Sequence, residues 1–218
     1  MVHPYWPVFD LRLRLGEITL RPVTEADLVP LADLRPADAE TDPRLPTFDL
    51  ADARVRAGVA TCQSYWVSLG NWRPQSWRLG FAVRVGGELA GVQELAATEF
   101  ATLRLVETSS WLATGWRGQG VGRAMRLAVL ALAFDGLGAE VAETSAWPDN
   151  AASLGVSRAL GYVDNGVVRH HDRGRVDDMP RLRLTGAAWQ ARHRDHGVQT
   201  TGLDRCRHLF GVTDPHPQ

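Results

Sequence analysis

The sequence contains no lysine, because all 24 of its basic residues are arginine. A Walker phosphate loop requires Gly-Lys-Ser/Thr, and an enzymatic Schiff base requires a lysine amine, so both kinds of site are excluded. The 25 acidic residues bring the formal net charge to −1. A chain this close to neutral has no overall field that attracts nucleic acid, and we expect no nucleic-acid partner.

Cysteines and long apolar runs are also scarce. Cys62 and Cys206 are too few and too far apart for a disulfide framework or a metal knuckle, and we expect no metal. No apolar run approaches the roughly 20 residues that span a bilayer. The segment from Met1 to Trp6 lacks the charged-then-apolar layout of a signal peptide. We therefore expect a cytoplasmic protein without a membrane partner.

The 218 residues are enough for one domain, expected over 1–190, followed by an extension over 191–218 that packs on the domain or on a partner subunit. Apolar alternation and period-3.6 stripes predict the main elements. We predict one strand or a pair of short strands over 11–23, and further strands over 77–85, 89–96, 103–112, 141–147, 162–170 and 180–184. Helices are predicted over 24–34, 49–69, 120–134, 150–160 and 186–194.

A glycine-rich loop from Gly115 to Gly122 opens an almost wholly apolar helix that runs to Phe134. The N-terminus of a helix has unpaired N–H groups and a partial positive charge, and glycines let a diphosphate approach those groups closely. Arg117 and Arg123 add cations that phosphates can use. A dinucleotide fingerprint fails because Arg123 or Met125 stands where its third glycine is required. A tight structural turn would also use these glycines, and that alternative stays open.

Two motifs, which follow each other in the expected order along the chain, resemble those of a known family. The loop Arg117 to Gly122 resembles the Gln/Arg-x-x-Gly-x-Gly/Ala motif of the GCN5-related N-acetyltransferases, the GNAT family. The segment Asn150 to Tyr162 resembles the family's second motif, Asn-x-x-Ala/Ser ending in Gly-Phe/Tyr. Leu20 to Asp27 is similar to the opening of the branch that acetylates ribosomal-protein N-termini. Together the resemblance covers residues 11 to 185.

The resemblance implies an α/β (α+β) GNAT fold. Its sheet is mixed and largely antiparallel, with about six to seven strands, splayed at the strand before the CoA loop and flanked by about four helices. It also implies acyl-CoA as co-substrate. The implied CoA-binding residues are Trp111, Leu112, Ala113, Thr114, Arg117, Gly118, Gln119, Gly120, Val121, Gly122, Arg123, Asn150 and Ser153.

The acyl donor has two candidates. Acetyl-CoA is the default for the family. At Ser109 to Leu112 and at Asp204 to Gly211, however, the chain is more narrowly similar to actinobacterial GNAT proteins assigned to succinyl-CoA. A succinyl donor needs a cation or several N–H groups facing its free carboxylate, and without lysine that cation is arginine or histidine.

Direct attack of an amine on the thioester needs a proton acceptor and a donor to the departing sulfur. Glu107 is the candidate base, with a surface glutamate as the alternative. Ser153 is the candidate donor to the CoA sulfur, since Ser157 stands where many relatives place a tyrosine acid. Asp172, beside His170 and His171, ends a strand on the acceptor side and is a third catalytic candidate.

Substrate binding is predicted around the loop after the second helix, where this fold forms its acceptor pocket. Trp72 and Trp77 lie in or beside that loop, and with Glu107 they form the predicted acceptor site. The acceptor class is a small-molecule amine or a peptide or protein amine.

Other classes of protein remain open at this stage. Ser157 in place of tyrosine also fits a non-catalytic CoA-binding sensor or pseudoenzyme. A third class is an interaction protein that uses the segment 199–210 as a binding arm. We expect a homodimer or a higher homo-oligomer.

Overall fold

A single sheet carries the secondary structure in the computed structural model, which describes residues 3–42, 44–46, 48–172 and 174–212, without the side chain of Asp172. The strands are β1 Arg12–Leu15, β2 Ile18–Pro22, β3 Trp77–Val85, β4 Glu88–Ala97, β5 Leu105–Leu112, β6 Val141–Ser145, β7 Val163–Asp172, β8 Arg175–Thr185 and β9 Gln199–Thr201. The helices are α1 Leu28–Leu34, α2 Ala53–Gly70, α3 Phe100–Leu103, α4 Val121–Ala131, α5 Ala151–Ala159 and α6 Gly186–Arg192.

The strand order is β7-β8-β6-β5-β4-β3-β2-β1-β9, and each neighbouring pair is antiparallel except β5 and β6. The mixed, largely antiparallel fold class is therefore confirmed. The predicted strand number is corrected to nine within the described residues. The region 11–23 folds as a pair of short strands, the hairpin β1–β2, which is one of the two predicted forms. The C-terminal segment adds β9 to the edge at β1, and this strand was not predicted.

The sheet opens between its two parallel strands. β5 and β6 are paired only from Leu105↔Val141 to Glu107↔Glu143, although β5 continues to Leu112 and β6 to Ser145. The strands separate beyond Glu107 and leave a wedge between them. The predicted splay at the strand before the glycine loop is confirmed.

Helix α4 packs its apolar surface into the core, as its composition predicts. Its residues from Met125 to Ala131 are all less than 9% exposed. The alternation in β8 is also as predicted, with Leu182 and Leu184 fully buried and the intervening Arg183 exposed.

Helix α2 begins four residues later than predicted and is less buried. The Asp52 carboxylate caps it by accepting hydrogen bonds from the backbone N–H groups of Arg54 (2.7 Å) and Val55 (3.4 Å). Val55 and Trp66 of the predicted apolar stripe are 49% and 53% exposed, so the stripe does not form one core face. Among the helices of the described residues, none has both the length and the apolarity needed to cross a membrane.

The C-terminal segment packs on its own domain. β9 pairs with β1, and the ring of Phe210 is fully buried against the rings of Trp72 and Trp77. The segment therefore completes one side of the core.

Candidate active site

The wedge between β5 and β6 widens into a cleft with a cavity volume of about 880 Å³. Its walls come from β5, the first turns of α4 and α5, and the loop 35–42. Nine of the predicted CoA-binding residues line it, namely Trp111, Leu112, Arg117, Gly118, Gly120, Gly122, Arg123, Asn150 and Ser153.

The other four predicted CoA-binding residues do not line the cleft. The Ala113 N–H already donates to the Ala90 carbonyl oxygen at 2.9 Å, and Val121 is buried in the core. The Gln119 side chain donates to the Gly115 carbonyl oxygen at 2.5 Å. Thr114 starts a short 3₁₀ turn on the surface.

The backbone of the glycine loop leaves space for an anion. Gly118 and Gly120 have φ values of +73° and +80°, in the left-handed region that favours glycine. A Cβ added to either residue would meet no atom within 4 Å. Gly120 is the N-cap of α4, so the N–H groups of the first turn have no partner within the helix and point toward this space.

Arg117, at the start of this loop, is paired with a carboxylate. Its guanidinium contacts Asp38 at two points, 2.8 and 2.7 Å, and its Nε donates to the Leu112 carbonyl oxygen at 3.2 Å. Asp38 belongs to the loop 35–42, which therefore closes against the mouth of the cleft.

The second predicted motif forms the opposite wall. The Asn150 side chain caps α5 by accepting a hydrogen bond from the Ser153 N–H at 3.0 Å. Ser153 lines the cleft, whereas Ser157, one turn later, is 1% exposed. The Ser157 hydroxyl donates to the Ser153 carbonyl oxygen at 3.0 Å.

A buried arginine in the cleft wall was missed by the sequence analysis. Arg126 of α4 is 3% exposed, and its Nη1 donates to the Ser157 hydroxyl at 2.6 Å. Its Nη2 lies 3.3 Å from the Ser110 hydroxyl of β5. The signal that could have indicated it was a charged side chain among the buried residues from Met125 to Ala131.

A smaller cavity of about 60 Å³ adjoins the cleft on the side of α1 and α2. Most of its walls are apolar, including Leu28, Leu31 and Val92. The two cavities share five lining residues, Arg35, Ser64, Arg78, Glu94 and Trp111. We call this shared set the junction.

Glu94 is the carboxylate at the junction, and it too was missed. Its Oε2 accepts hydrogen bonds from Arg78 Nη1 at 2.9 Å and from the Ser109 hydroxyl at 2.7 Å. The cause is the register of β4 and β5, which places Glu94 directly opposite Ser109. Glu107 lies on the same face of β5 as Ser109, but it is exposed and does not line either cavity.

The structure does not place Trp72 and Trp77 at the acceptor site, which corrects the expectation for both. Their indole N–H groups donate to the carbonyl oxygens of Leu209 (2.8 Å) and Phe210 (3.2 Å). Their rings stack on each other with centroids 6.0 Å apart. Trp77 is therefore a core residue, Trp72 packs partly buried against the core, and both hold the C-terminal segment.

Asp172 ends β7, but its side chain lies outside the described part of the structure. Of the neighbouring histidines, His170 has its Nε2 2.7 Å from Glu40 Oε1 and its ring edge against Trp147, which lines the cleft. His171 is exposed. Within the described ranges, no group of three or more His, Cys, Asp or Glu side chains could hold a metal ion.

Comparison with known proteins agrees with this geometry. The family described as "Acetyltransferase (GNAT) domain" matches residues 17–163. The chain therefore belongs to the GNAT acetyltransferase family and is an acyl-CoA-dependent N-acyltransferase.

Solved structures share the fold. One is Mycobacterium smegmatis RimJ in complex with CoA-disulfide, with a TM-score of 0.70 and 20% identity over 88% of this chain and 98% of that one. Another is a dodecameric spermidine N-acetyltransferase from Vibrio cholerae, with a TM-score of 0.62 and 17% identity over 83% and 99% of the two chains.

Proposed function

We propose that the protein transfers an acyl group from acyl-CoA to a primary amine by direct attack in the wedge between β5 and β6. The observation that carries this proposal is the glycine loop, whose open side and helix N-terminus face the cleft. The CoA diphosphate binds the first turn of α4, with Arg117 and Arg123 as cations. The pantetheine arm runs along β5 at Trp111 and Leu112, with Asn150 and Ser153 opposite.

The acceptor amine enters from the α1/α2 side and meets the thioester at the junction. The amine nitrogen forms the new N–C bond while the C–S bond breaks and its electron pair goes to sulfur. The amine proton goes to Glu94, directly or through the Ser109 hydroxyl that donates to it. Glu107, the candidate from sequence, lies further from the cleft and is the alternative base.

The identities of the acyl donor and of the acceptor amine are a further part of the proposal. We propose acetyl-CoA or succinyl-CoA as donor, and the similarity to RimJ in complex with CoA-disulfide supports a ligand that contains CoA. The apolar cavity beside the junction favours an acceptor amine next to a small apolar group, as at a peptide N-terminus. A polycation such as spermidine, the substrate in the name of the Vibrio cholerae enzyme, fits this lining less well.

We also propose that the chain self-associates through β7. This strand is an edge of the sheet, and it exposes Val163 and Val167 by 65% and 62%. Val163→Asp with Val167→Asp should lower the sedimentation coefficient. Val29→Asp, at a 69% exposed valine of α1, is the matched control and should not. An unchanged coefficient in the double variant contradicts this interface.

The sequence left open a non-catalytic CoA-binding protein, because Ser157 stands where many relatives carry a tyrosine, but the family match favours the enzyme. Under this alternative the chain binds CoA but does not release it from acetyl-CoA or succinyl-CoA with any amine of a broad panel. Measurable CoA release removes this candidate. The cytoplasmic location remains a prediction from the sequence.

A thermal-shift titration with CoA, acetyl-CoA and succinyl-CoA tests the binding part of the proposal. At a free ligand concentration of about 100 times Kd, binding stabilises the folded state by about 2.7 kcal/mol. In a chain of this size, that stabilisation raises Tm by about 5–11 °C. Gly120→Glu should abolish the shift, because it places a like charge where the phosphates bind. The matched control is Gly138→Glu, since Gly138 has φ +73° and open space around its Cβ but does not line the cleft. If no ligand shifts the wild type, the glycines form only a structural turn.

A further inference from the structure

Arg126 is a buried cation without a buried anion. Its side chain is 3% exposed, and among the described residues no carboxylate forms an ion pair with it. Its Nε is buried and has no hydrogen-bond acceptor. An uncompensated buried charge destabilises a fold, so a position that keeps one is a candidate for function.

The groups around Arg126 hold it in place but do not neutralise it. The Ser157 hydroxyl gives its proton to the Ser153 carbonyl oxygen, which leaves its lone pairs for Arg126 Nη1. Ser110 is likewise neutral. Tyr162 is the titratable group whose charge would act on Arg126, but burial raises the pKa of its phenol, which therefore stays uncharged.

The position of Arg126 relates it to the co-substrate. It lines the cleft and reaches Ser110, the residue before Trp111 and Leu112 on β5. It does not line the smaller cavity on the acceptor side. Side chains alternate along a strand, so Ser110 and Arg126 lie on the opposite face of β5 from Ser109 and the junction.

We propose that Arg126 holds the sulfur of the departing CoA as a thiolate, an inference that rests on the proposed acyl transfer. When the amine nitrogen bonds to the acyl carbon, the C–S electron pair goes to sulfur. A guanidinium N–H of Arg126 then donates to the thiolate without giving up its proton, and water protonates the sulfur after release. The thiolate that forms as the C–S bond breaks is therefore the anion that pairs with Arg126. The hydrogen bond between them strengthens as charge develops on the sulfur in the transition state.

The same cation could instead bind the free carboxylate of a dicarboxylic acyl group. The sulfur is favoured because its charge forms with every acyl donor as the C–S bond breaks, whereas the carboxylate exists only in a dicarboxylic acyl group. A comparison of acetyl-CoA with succinyl-CoA distinguishes the two anions.

The first experiment uses wild-type protein and measures the affinities of CoA and of desulfo-CoA, which lacks the thiol, by calorimetry from pH 6.5 to 9.5. We expect the ratio of the two affinities to rise at least tenfold in favour of CoA as the thiol ionises. Other titrating groups of the cleft act on both ligands, so the ratio isolates the thiol. A ratio that does not change with pH overturns the inference but leaves the proposed function intact. If neither nucleotide binds, the proposed function itself fails.

The second experiment uses Arg126→Met, which removes the charge at similar volume. We expect kcat to fall about 10²–10³-fold with acetyl-CoA and succinyl-CoA alike, at little change in KM, and the pH dependence of the affinity ratio to disappear. Arg126→Lys should lose less. A loss confined to succinyl-CoA assigns Arg126 to an acyl carboxylate, and equal loss of CoA and desulfo-CoA binding assigns it to structure. Either result overturns the inference, and the wild-type titration decides if the variant does not fold.

Discussion

Arg117 and Asp38, 79 residues apart in the sequence, form a two-point ion pair across the mouth of the cleft. Arg117 is also the cation proposed for the CoA diphosphate, so the carboxylate of Asp38 competes with the phosphates for the same N–H groups. The two side chains are 41% and 66% exposed, and such an exposed pair contributes about 1 kcal/mol at most. CoA binding therefore has to replace a weak internal contact.

Removing that carboxylate should tighten CoA binding. We expect Asp38→Asn to lower the Kd for CoA by up to about fivefold, the equivalent of about 1 kcal/mol. Calorimetry measures the effect, and added salt should shrink it. Asp33→Asn is the control, because Asp33 pairs with Arg54 at 2.6 Å outside the cleft. Weaker binding by Asp38→Asn would mean that Asp38 orders the loop 35–42 for the ligand.

The two candidate bases can be separated by a matched pair of variants. Glu94→Gln should lower kcat about 10²–10⁴-fold, because the amide keeps the size of the side chain but does not accept the amine proton. Glu107→Gln should change kcat less than twofold, since Glu107 lies outside both cavities. Steady-state kinetics with a fixed acceptor amine measures both. Affinity for CoA should be the same in the two variants. The reverse ranking would return the role of base to Glu107.

Contiguous features of the site could be predicted from the sequence. The loop Arg117 to Gly122 lines the cleft because a glycine loop and the helix it opens are neighbours in the chain, so spacing alone defines the anion site. The Asn150 cap is predictable for the same reason, since its hydrogen bond spans three residues. The splay followed from the family resemblance.

Contacts between distant segments could not be predicted. Glu94 enters the site through its register with Ser109. Arg126 enters it through Ser157, 31 residues later, and Ser110, 16 residues earlier. Trp72 and Trp77 are of a residue type that is common in substrate pockets. In the fold, however, the C-terminal segment covers them, and their hydrogen-bond partners lie 137 and 133 residues away. Nothing local in the sequence indicates that cover.

The C-terminal segment should contribute strongly to stability. Phe210→Ala should lower the free energy of unfolding by about 3–5 kcal/mol, because the ring is fully buried with centroids 5.2 and 4.9 Å from those of Trp72 and Trp77. Urea unfolding followed by tryptophan fluorescence measures this. Leu103→Ala, at a 55% exposed side chain, is the control and should change it by less than about 0.5 kcal/mol. A Phe210 variant as stable as the control would show that the segment does not pack in solution.

Cys206 should make stability depend on pH in the alkaline range. Its side chain is fully buried, and burial raises the pKa of the thiol from 9.0 to about 11. As pH rises, the unfolded chain therefore loses the thiol proton first, and the folded state binds more protons. By linkage, the free energy of unfolding contributed by this group is fully present below about pH 9 and is lost as pH approaches 11.

The measurement is urea unfolding at pH 7.5, 9.0 and 10.0 in a Cys62→Ala background, so that Cys206 is the single thiol. Stability relative to Cys62→Ala/Cys206→Ala should fall as pH rises, because the background titrations cancel in the difference. At pH 8 the reaction of Cys206 with a thiol reagent should be slow, because the buried thiol holds its proton. Its rate should be limited by the opening that transiently exposes the side chain. A difference that stays flat from pH 7.5 to 10.0, together with fast modification, would mean that the segment around Cys206 opens without global unfolding.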